Sequence, residues 1–583
     1  MTRFETVFGD WVVKYRWWII TATIIAVLIA SSGMRFLTIN NDTRVFFSED
    51  NPQLQALEAL ENTFSKDNNI LFAIAPRDGN VFTRKTLEAV GELTEASWHL
   101  PYSSRVDSIT NFQHTRSEQD DLIVEDLVVD AAELSDSELE RIKEIALCEP
   151  LLVNRLISPS GHVTGVNVTI LLPGQSLKEV PEVAAYARQL ADTLCEKYPG
   201  IDVYLTGGVM IDHTFGEASV QDMKTLIPLM FLTLAVLVVL SLRSCLGTLS
   251  VLVIVLMSMC TGLGLAGWLG ISLNAASIGS PVLILTLAVA DSIHILATMF
   301  HLMHQGRPRR EAIAEALRIN LQAVFLTSIT TAVGFLSMNF SEAPPFRDLG
   351  NIVAIGVTAA FVCSVLFLPS MLAVLPIRVR SGPDKAGYHS CDRLASFVIH
   401  RCNTVFLVML IMTVVLAGGI LNIELNDNFL KYFDDSFEFR RATDFVIDNL
   451  AGWDIMEYSL ESAEPGGIND PAYLATVEQF ANWYRQQPKV VHVNSITDTL
   501  KRLNKNMHGD DRAYYRIPEQ RELAAQYLLL YEMMLPFGLD LNNQISVDRS
   551  STRLTVRFKS LSANEIHAMD AAARQWLKAN APQ

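Results

Sequence analysis

The sequence predicts a polytopic α-helical membrane protein with two α+β extracytoplasmic domains, built on an internal repeat of about 385 residues whose second copy is truncated. Three observations predict it: seven apolar runs of spanning length, two long acidic stretches between them, and similar sequence recurring at a nearly constant offset. Crossing a hydrocarbon core about 30 Å thick takes roughly 20 helical residues. The runs fall at 17–34, 225–242, 248–269, 281–303, 321–340, 351–375 and 404–421. With Lys14 and Arg16 ahead of it, the first also reads as a secretory signal. The seventh run repeats it deep inside the chain, which favours a retained helix.

Orientation follows from Lys and Arg in the short loops. Arg3, Lys14 and Arg16 precede the first run, and Arg307, Arg309, Arg310 and Arg318 lie between the fourth and fifth. Arg378, Arg380, Lys385, Arg393 and Arg401 lie between the sixth and seventh, whereas the loop 341–350 sets Arg347 beside Glu342 and Asp348. A cytoplasmic N-terminus puts every basic loop on one side. The chain then divides into an N-terminus with the first span (1–38), a first periplasmic α+β domain (39–222) and a bundle of spans two to six (223–376). A cytoplasmic linker (377–402), a seventh span (403–422) and an incomplete second periplasmic domain (423–583) follow, with spans eight to twelve absent. The net charge of −17 is concentrated outside the spans: residues 39–222 carry 31 acids against 13 bases. That sign argues against nucleic acid as a partner.

Within 39–222, Asn51-Pro52 opens a helix, 69–76 alternates as a strand, 84–99 is helical and 105–109 is strand. Residues 165–172 read as strand, 179–198 as helix and 201–206 as a closing strand, an order suggesting split βαβ units. The acidic stretches 120–129 and 133–147 read as solvated faces. The repeat rests on four matches in order. Tyr15-Arg16-Trp17 pairs with His400-Arg401-Cys402, and Asn40-Asn41-Asp42 with Leu425-Asn426-Asp427. Val106–Asn111 pairs with Val493–Asp498, and Ala187-Arg188-Gln189 with Pro199 pairs with Ala573-Arg574-Gln575 with Pro582. Duplicated transporters place their site where the halves meet.

The seven cysteines have no metal spacing, and for Cys148 and Cys195 a disulfide and two free thiols both stay open. No G-x-x-x-x-G-K-[ST] loop is present, which argues against ATP-driven transport, and no cofactor is expected. The chemistry concentrates in the fourth run, at Ala290-Asp291-Ser292-Ile293-His294. An ionised carboxylate at mid-membrane costs about 2.5–3.5 kcal/mol on insertion scales, so such acids face a bundle interior or water. Asp291 and His294 are three apart on one helix and can share a proton, or form a structural pair that holds helices together. In the fifth run Thr327, Ser328, Thr330 and Thr331 either bond to their own helix and its neighbours or solvate a proton path to Asp291. Gly262, Gly264, Ala266 and Gly267 permit close helix packing, and Pro281 and Pro369 bend or end helices.

With these residues in view, the chain resembles the resistance–nodulation–division (RND) superfamily, and within it exporters with an MMPL-type domain and a sterol-sensing-like bundle. The motif at 290–294 is similar to the family's fourth-helix acidic motif, and Leu326 through Phe335 to its fifth-helix signature. Pro345 through Gly350, running into Ala354-Ile355-Gly356, resembles the entry to its sixth helix. The resemblance implies a proton-driven antiporter, not an enzyme, exporting hydrophobic or lipid-like substrates from a bacterial cytoplasmic membrane. It implies a proton relay of Asp291 with Ser292 and His294; where many members have a Tyr or second Asp beside the acid, this chain has Ser292. Protons, membrane lipids and a lipid-like substrate are the expected partners, with homo-oligomerisation left open. The family's polar residues on a tenth helix have no counterpart here, so residues 1–583 alone are expected not to complete a transport cycle. The alternatives are a non-transporting lipid-sensing or docking protein and a protein-secretion accessory of the same superfamily.

Overall fold

A computed structural model describes the chain apart from residues 1, 41, 67, 119–120, 175, 177, 378–387, 425, 463 and 582–583. Residues 378–387 of the basic linker, with Arg378, Arg380 and Lys385, therefore lie outside the described residues, as do Asn41, Leu425 and Pro582 of the repeat. The chain forms two compact units: Met1–Asn51 with Phe215–Ile423, and Pro52–Thr214 with Glu424–Gln583.

The first unit holds seven helices long and apolar enough to cross a membrane, one at each predicted run. They are Arg16–Phe36, Gly208–Leu242, Cys245–Trp268, Ser277–His304, Arg309–Phe340, Pro344–Val374 and Cys402–Asn422. Two extend well beyond the apolar residues. The helix Gly208–Leu242 has 35 residues, about 52 Å at 1.5 Å each, and contains Pro228. Hydropathy marks only its second half because Asp212, Glu217, Asp222 and Lys224 occupy the first. The predicted break at 222/223 falls inside this helix, and the units divide at Thr214/Phe215 instead. The fifth helix likewise starts at Arg309, and the Arg309 guanidinium donates to the carbonyls of Ala373 (3.0 Å) and Leu375 at the end of the sixth span. A cation there complements the negative end of a helix.

The third, fourth and sixth spans form the packed centre, and the first leans on the third through glycine. A Cβ built on Gly264 would lie 2.2 Å from the Ala30 carbonyl oxygen and 2.6 Å from Ser31 Cα. One on Gly33 would lie 2.0 Å from the Gly264 oxygen. Only hydrogen fits at this crossing, which is how small residues let membrane helices approach. Pro281 sits in the first turn of its helix, where its missing N–H costs little. In the sixth span a π-turn, Cys363–Phe367, runs into the helix Leu368–Val374, whose second residue is Pro369. A proline cannot bond to the carbonyl four residues back, so the ladder widens there. The seventh span has no buried residue.

The second unit contains both soluble stretches. In the first, β1 (Asn69–Pro76), β2 (Ser103–Asp107), β5 (Thr164–Ile170) and β6 (Ile201–Thr206) make one antiparallel sheet in the order β2-β5-β1-β6. β1 and β2 are joined through the helix Arg84–Ser97 and separated in the sheet by β5, the split βαβ arrangement. β3 (Gln113–Glu118) and β4 (Asp121–Asp126) form a separate hairpin. In the second stretch β7 (Asp454–Glu461), β8 (Val490–Asn494) and β9 (Ser551–Phe558) form a sheet in the order β7-β9-β8. The helices Pro471–Arg485 and Ala563–Asn580 contribute Phe480, Tyr484, Trp483 and Trp576 to an aromatic cluster with Tyr458 and Phe558.

The two stretches share cores. Leu71, Ala73 and Val163 pack with Val446, Leu450 and Ala451, and Tyr204 stacks on Phe445 with ring centroids 4.0 Å apart. Leu122 joins Ile496, Leu500 and Leu503. Arg502, buried, donates to Glu149 (3.3 Å) and the Tyr531 hydroxyl (3.2 Å) over the Phe112 ring. The expectation of a solvated face at 120–129 is therefore corrected, for Leu122, Leu127 and Val128 are buried; acidic composition concealed a hairpin that seals the second stretch. The helix Asp136–Cys148 is opened by a Ser135/Glu138 capping box and buries Ile142 and Ala146. Cys148 and Cys195 are both free thiols.

Candidate functional site

Asp291 lies near the middle of the 25-residue helix Ser280–His304. That helix buries Ile284, Leu285, Ala288, Ser292 and Ile295, the i, i+3, i+4 stripe of a face packed on neighbours. Asp291 sits on the same side and is 6% exposed. Its carboxylate accepts from the Ser328 hydroxyl on the fifth span at 2.8 Å. A hydrogen bond to a charged group contributes about 1.5–3 kcal/mol, comparable with the insertion cost of the charge. A hydroxyl can also turn and accept from a protonated carboxyl, so Ser328 can serve both forms.

The other predicted residues divide. Ser292 is fully buried and shares a hydrogen bond with Ser364 of the sixth-span π-turn at 3.0 Å. His294 is exposed on the far edge of the helix, and among the described residues no hydrogen bond or ion pair joins it to Asp291. The expected Asp–His proton sharing is thus not made in this arrangement. Thr327, Thr330 and Thr331 bond to carbonyls of their own helix: Thr327 to Ala323 (3.1 Å), Thr330 to Leu326 (2.7 Å) and Thr331 to Thr327 (2.7 Å). Of the four fifth-span hydroxyls, Ser328 is the one that reaches the acid.

Three polar contacts went unpredicted. Asn320 donates to Thr298 at 2.9 Å, extending the Asp291–Ser328 seam along the same pair of helices. The signal was spacing, since Asp291 and Thr298 are seven apart, as are residues sharing a helix face. Asn274 donates to Asp348 at 3.0 Å at the opening of the sixth span. Ser364 had only an indirect signal, the nearby Pro369.

A chain with seven membrane-length helices and an acid buried between two of them defines an integral membrane protein with an intramembrane polar site. The MMPL family matches residues 46–398, more than half of the chain. This chain belongs to the MMPL family, within the RND superfamily. It is 26% identical over 176 residues to a putative membrane protein of Methanocaldococcus jannaschii, covering 30% of this chain and 45% of that one. It is 23% identical over 338 residues to the probable transport protein MmpL12 of Mycobacterium tuberculosis, covering 57% of this chain and 29% of that protein. With protein patched homolog 2 of Homo sapiens it shares 34% identity over 122 residues, 21% of this chain and 10% of that one. The chain thus spans less than half the length of each.

Proposed function

We propose that this chain is the proton-coupled part of an exporter that moves hydrophobic or lipid-like molecules out of a bacterial cytoplasmic membrane. The observation that carries the reading is Asp291, buried at mid-span with a single neutral hydroxyl as its partner. Among the described residues no ion pair is made to it, and His294, three residues on, is close enough to act on its charge. Family membership and the probable transport protein among the relatives support transport. The clustering of Arg and Lys in the loops 307–318 and 378–401 supports a cytoplasmic N-terminus with the soluble unit outside.

Protonation of Asp291 changes what it asks of Ser328 from donor to acceptor and removes a charge from the interface of the fourth and fifth spans. A proton that binds one arrangement of these helices better than the other shifts the balance between them. The soluble unit, continuous in chain with the second span, is the part that would respond by opening and closing on a passenger. The sequence similarity between residues 15–199 and 400–582 is read as a duplication, supported by the common order of the first three strands of each sheet.

The test is export of a fluorescent lipid by everted membrane vesicles of the native host with an imposed pH gradient. Asp291→Asn abolishes gradient-driven export while the protein stays at normal abundance in the membrane. Ser328→Ala weakens it less. Export unchanged by Asp291→Asn, or insensitive to a protonophore, overturns the proton-coupled reading and leaves a lipid-binding protein without coupling.

A further inference from the structure

We propose that the outer face of the helix Thr2–Lys14 is a docking surface for the headgroups of anionic phospholipids, laid along the membrane rather than across it. With 13 residues the helix is about 20 Å long, too short to cross a hydrocarbon core. It is set off from the first span at Tyr15, whose ψ of 21° departs from the helical value. Backbone bonds still bridge the break, from Tyr15 to Trp11 at 3.0 Å and from Ile19 to Tyr15 at 3.1 Å.

The inner face of this helix is fixed by packing. Gly9 and Val12 are buried, and a Cβ built on Gly9 would lie 2.9 Å from the Ala314 carbonyl oxygen. Val12 shares a core with Ala312, Ile313, Ala316 and Leu317. These residues belong to the first turns of the fifth helix, ahead of its apolar run at 321–340. The same turns carry Arg309, Arg310, Glu311, Glu315 and Arg318, charges that hydrocarbon would not hold. The helix Thr2–Lys14 is therefore held at the level where the fifth span leaves the membrane.

The outer face is apolar and open. Val7, Trp11 and Tyr15 recur every four residues, so they share a side, and they are 64%, 45% and 42% exposed. The Trp11 and Tyr15 rings lie 5.8 Å apart. Rings with a polar tip suit neither bulk water nor a hydrocarbon core, but the headgroup level between them. The stripe is continuous in chain with Trp17 and Trp18, which open the first span and are exposed. Charge selects the lipid. Lys14, Arg16, Arg307 and Arg310 outnumber Asp10 and Glu311 around this face, and such basic clusters beside a span attract anionic headgroups. A second copy of the chain is a poorer occupant. Two rings and a valine, each already partly covered, leave well under the roughly 800 Å² per partner that a stable protein interface buries.

The experiment places the full chain in nanodiscs of phosphatidylcholine with phosphatidylglycerol and follows tryptophan emission. Bromine is carried by one lipid or the other, either near the glycerol or near the chain ends. Subtracting the Trp11→Phe variant isolates Trp11, and subtracting Trp18→Phe isolates a reference at the mouth of the first span. Trp11 emission is expected to fall by about half or more with the shallow bromines and less with the deep ones. The fall is expected to be larger when phosphatidylglycerol carries the bromine, and Lys14→Gln is expected to lessen that preference. Quenching of Trp18 without Trp11, stronger quenching of Trp11 by deep bromines, or equal quenching by the two lipids each overturn the proposal. So does a preference untouched by Lys14→Gln. Trp11 emission that neither bromine nor aqueous iodide reaches also overturns it and assigns the face to another protein surface. None of these outcomes depends on Asp291.

Discussion

His492 makes the soluble unit sensitive to acid by a calculable amount. It is buried on β8, and its Nδ1–H donates to the Val153 carbonyl at 3.1 Å. Burial first, then the nearby guanidiniums of Arg155 and Arg557, push it down to about 3. The folded unit therefore keeps this ring neutral, whereas an unfolded chain protonates it below about 6.5. Below that pH the unfolded state binds more protons, so stability falls as pH falls, with a limiting slope of about 1.4 kcal/mol per unit down to the folded value. Between pH 7 and 4.5 the loss from this one ring is about 2.5 kcal/mol. His492→Gln keeps a donor for Val153 and removes the titration. Pulse proteolysis of the full chain in detergent and urea measures both proteins at both pH values. Whatever the variant costs at pH 7, its deficit relative to wild type shrinks, or turns into an advantage, by about 2.5 kcal/mol at pH 4.5. A wild-type–variant difference that stays constant with pH would refute the reasoning.

Two further perturbations test the packing of each unit. Gly264→Ala places a methyl 2.2 Å from the Ala30 oxygen and costs upwards of about 1–3 kcal/mol, seen as a lowered Tm in detergent. Gly334→Ala, with no atom within 4 Å of its Cβ, leaves the Tm unchanged. Arg502→Leu strands the largely buried Glu149 carboxylate, for about 3–5 kcal/mol. The double variant Arg502→Leu/Glu149→Leu recovers most of that loss in the same melting experiment.

The membrane is why so much of the first unit was legible. A hydrocarbon slab demands about 20 apolar residues per crossing, and all seven crossings carry that signature. An acid such as Asp291 stands out against that background, and its burial follows from the same cost. Choosing Ser328 from four neighbouring hydroxyls was beyond the sequence, because the rotation of the fifth span is set by its packing on other helices. The exposure of His294 was hidden for the same reason: a spacing of three places two residues about 60° apart, and packing decides which of them is covered. The elements β1, β5 and β6 were readable from alternation and turn residues. The union of the two soluble stretches was not, since contacts such as Arg502–Glu149 join residues 353 positions apart and leave no local pattern.

That union also sets an order on synthesis. The apolar patch of Leu71, Ala73 and Val163 is covered by Val446, Leu450 and Ala451. Between the last residue of β6, Thr206, and Val446 the ribosome must add roughly 240 residues, at about 5–20 per second. For roughly 12–48 s the earlier sheet waits with that patch bare while six helices are being threaded into the bilayer. Until then the first sheet is a half whose missing wall has yet to be translated.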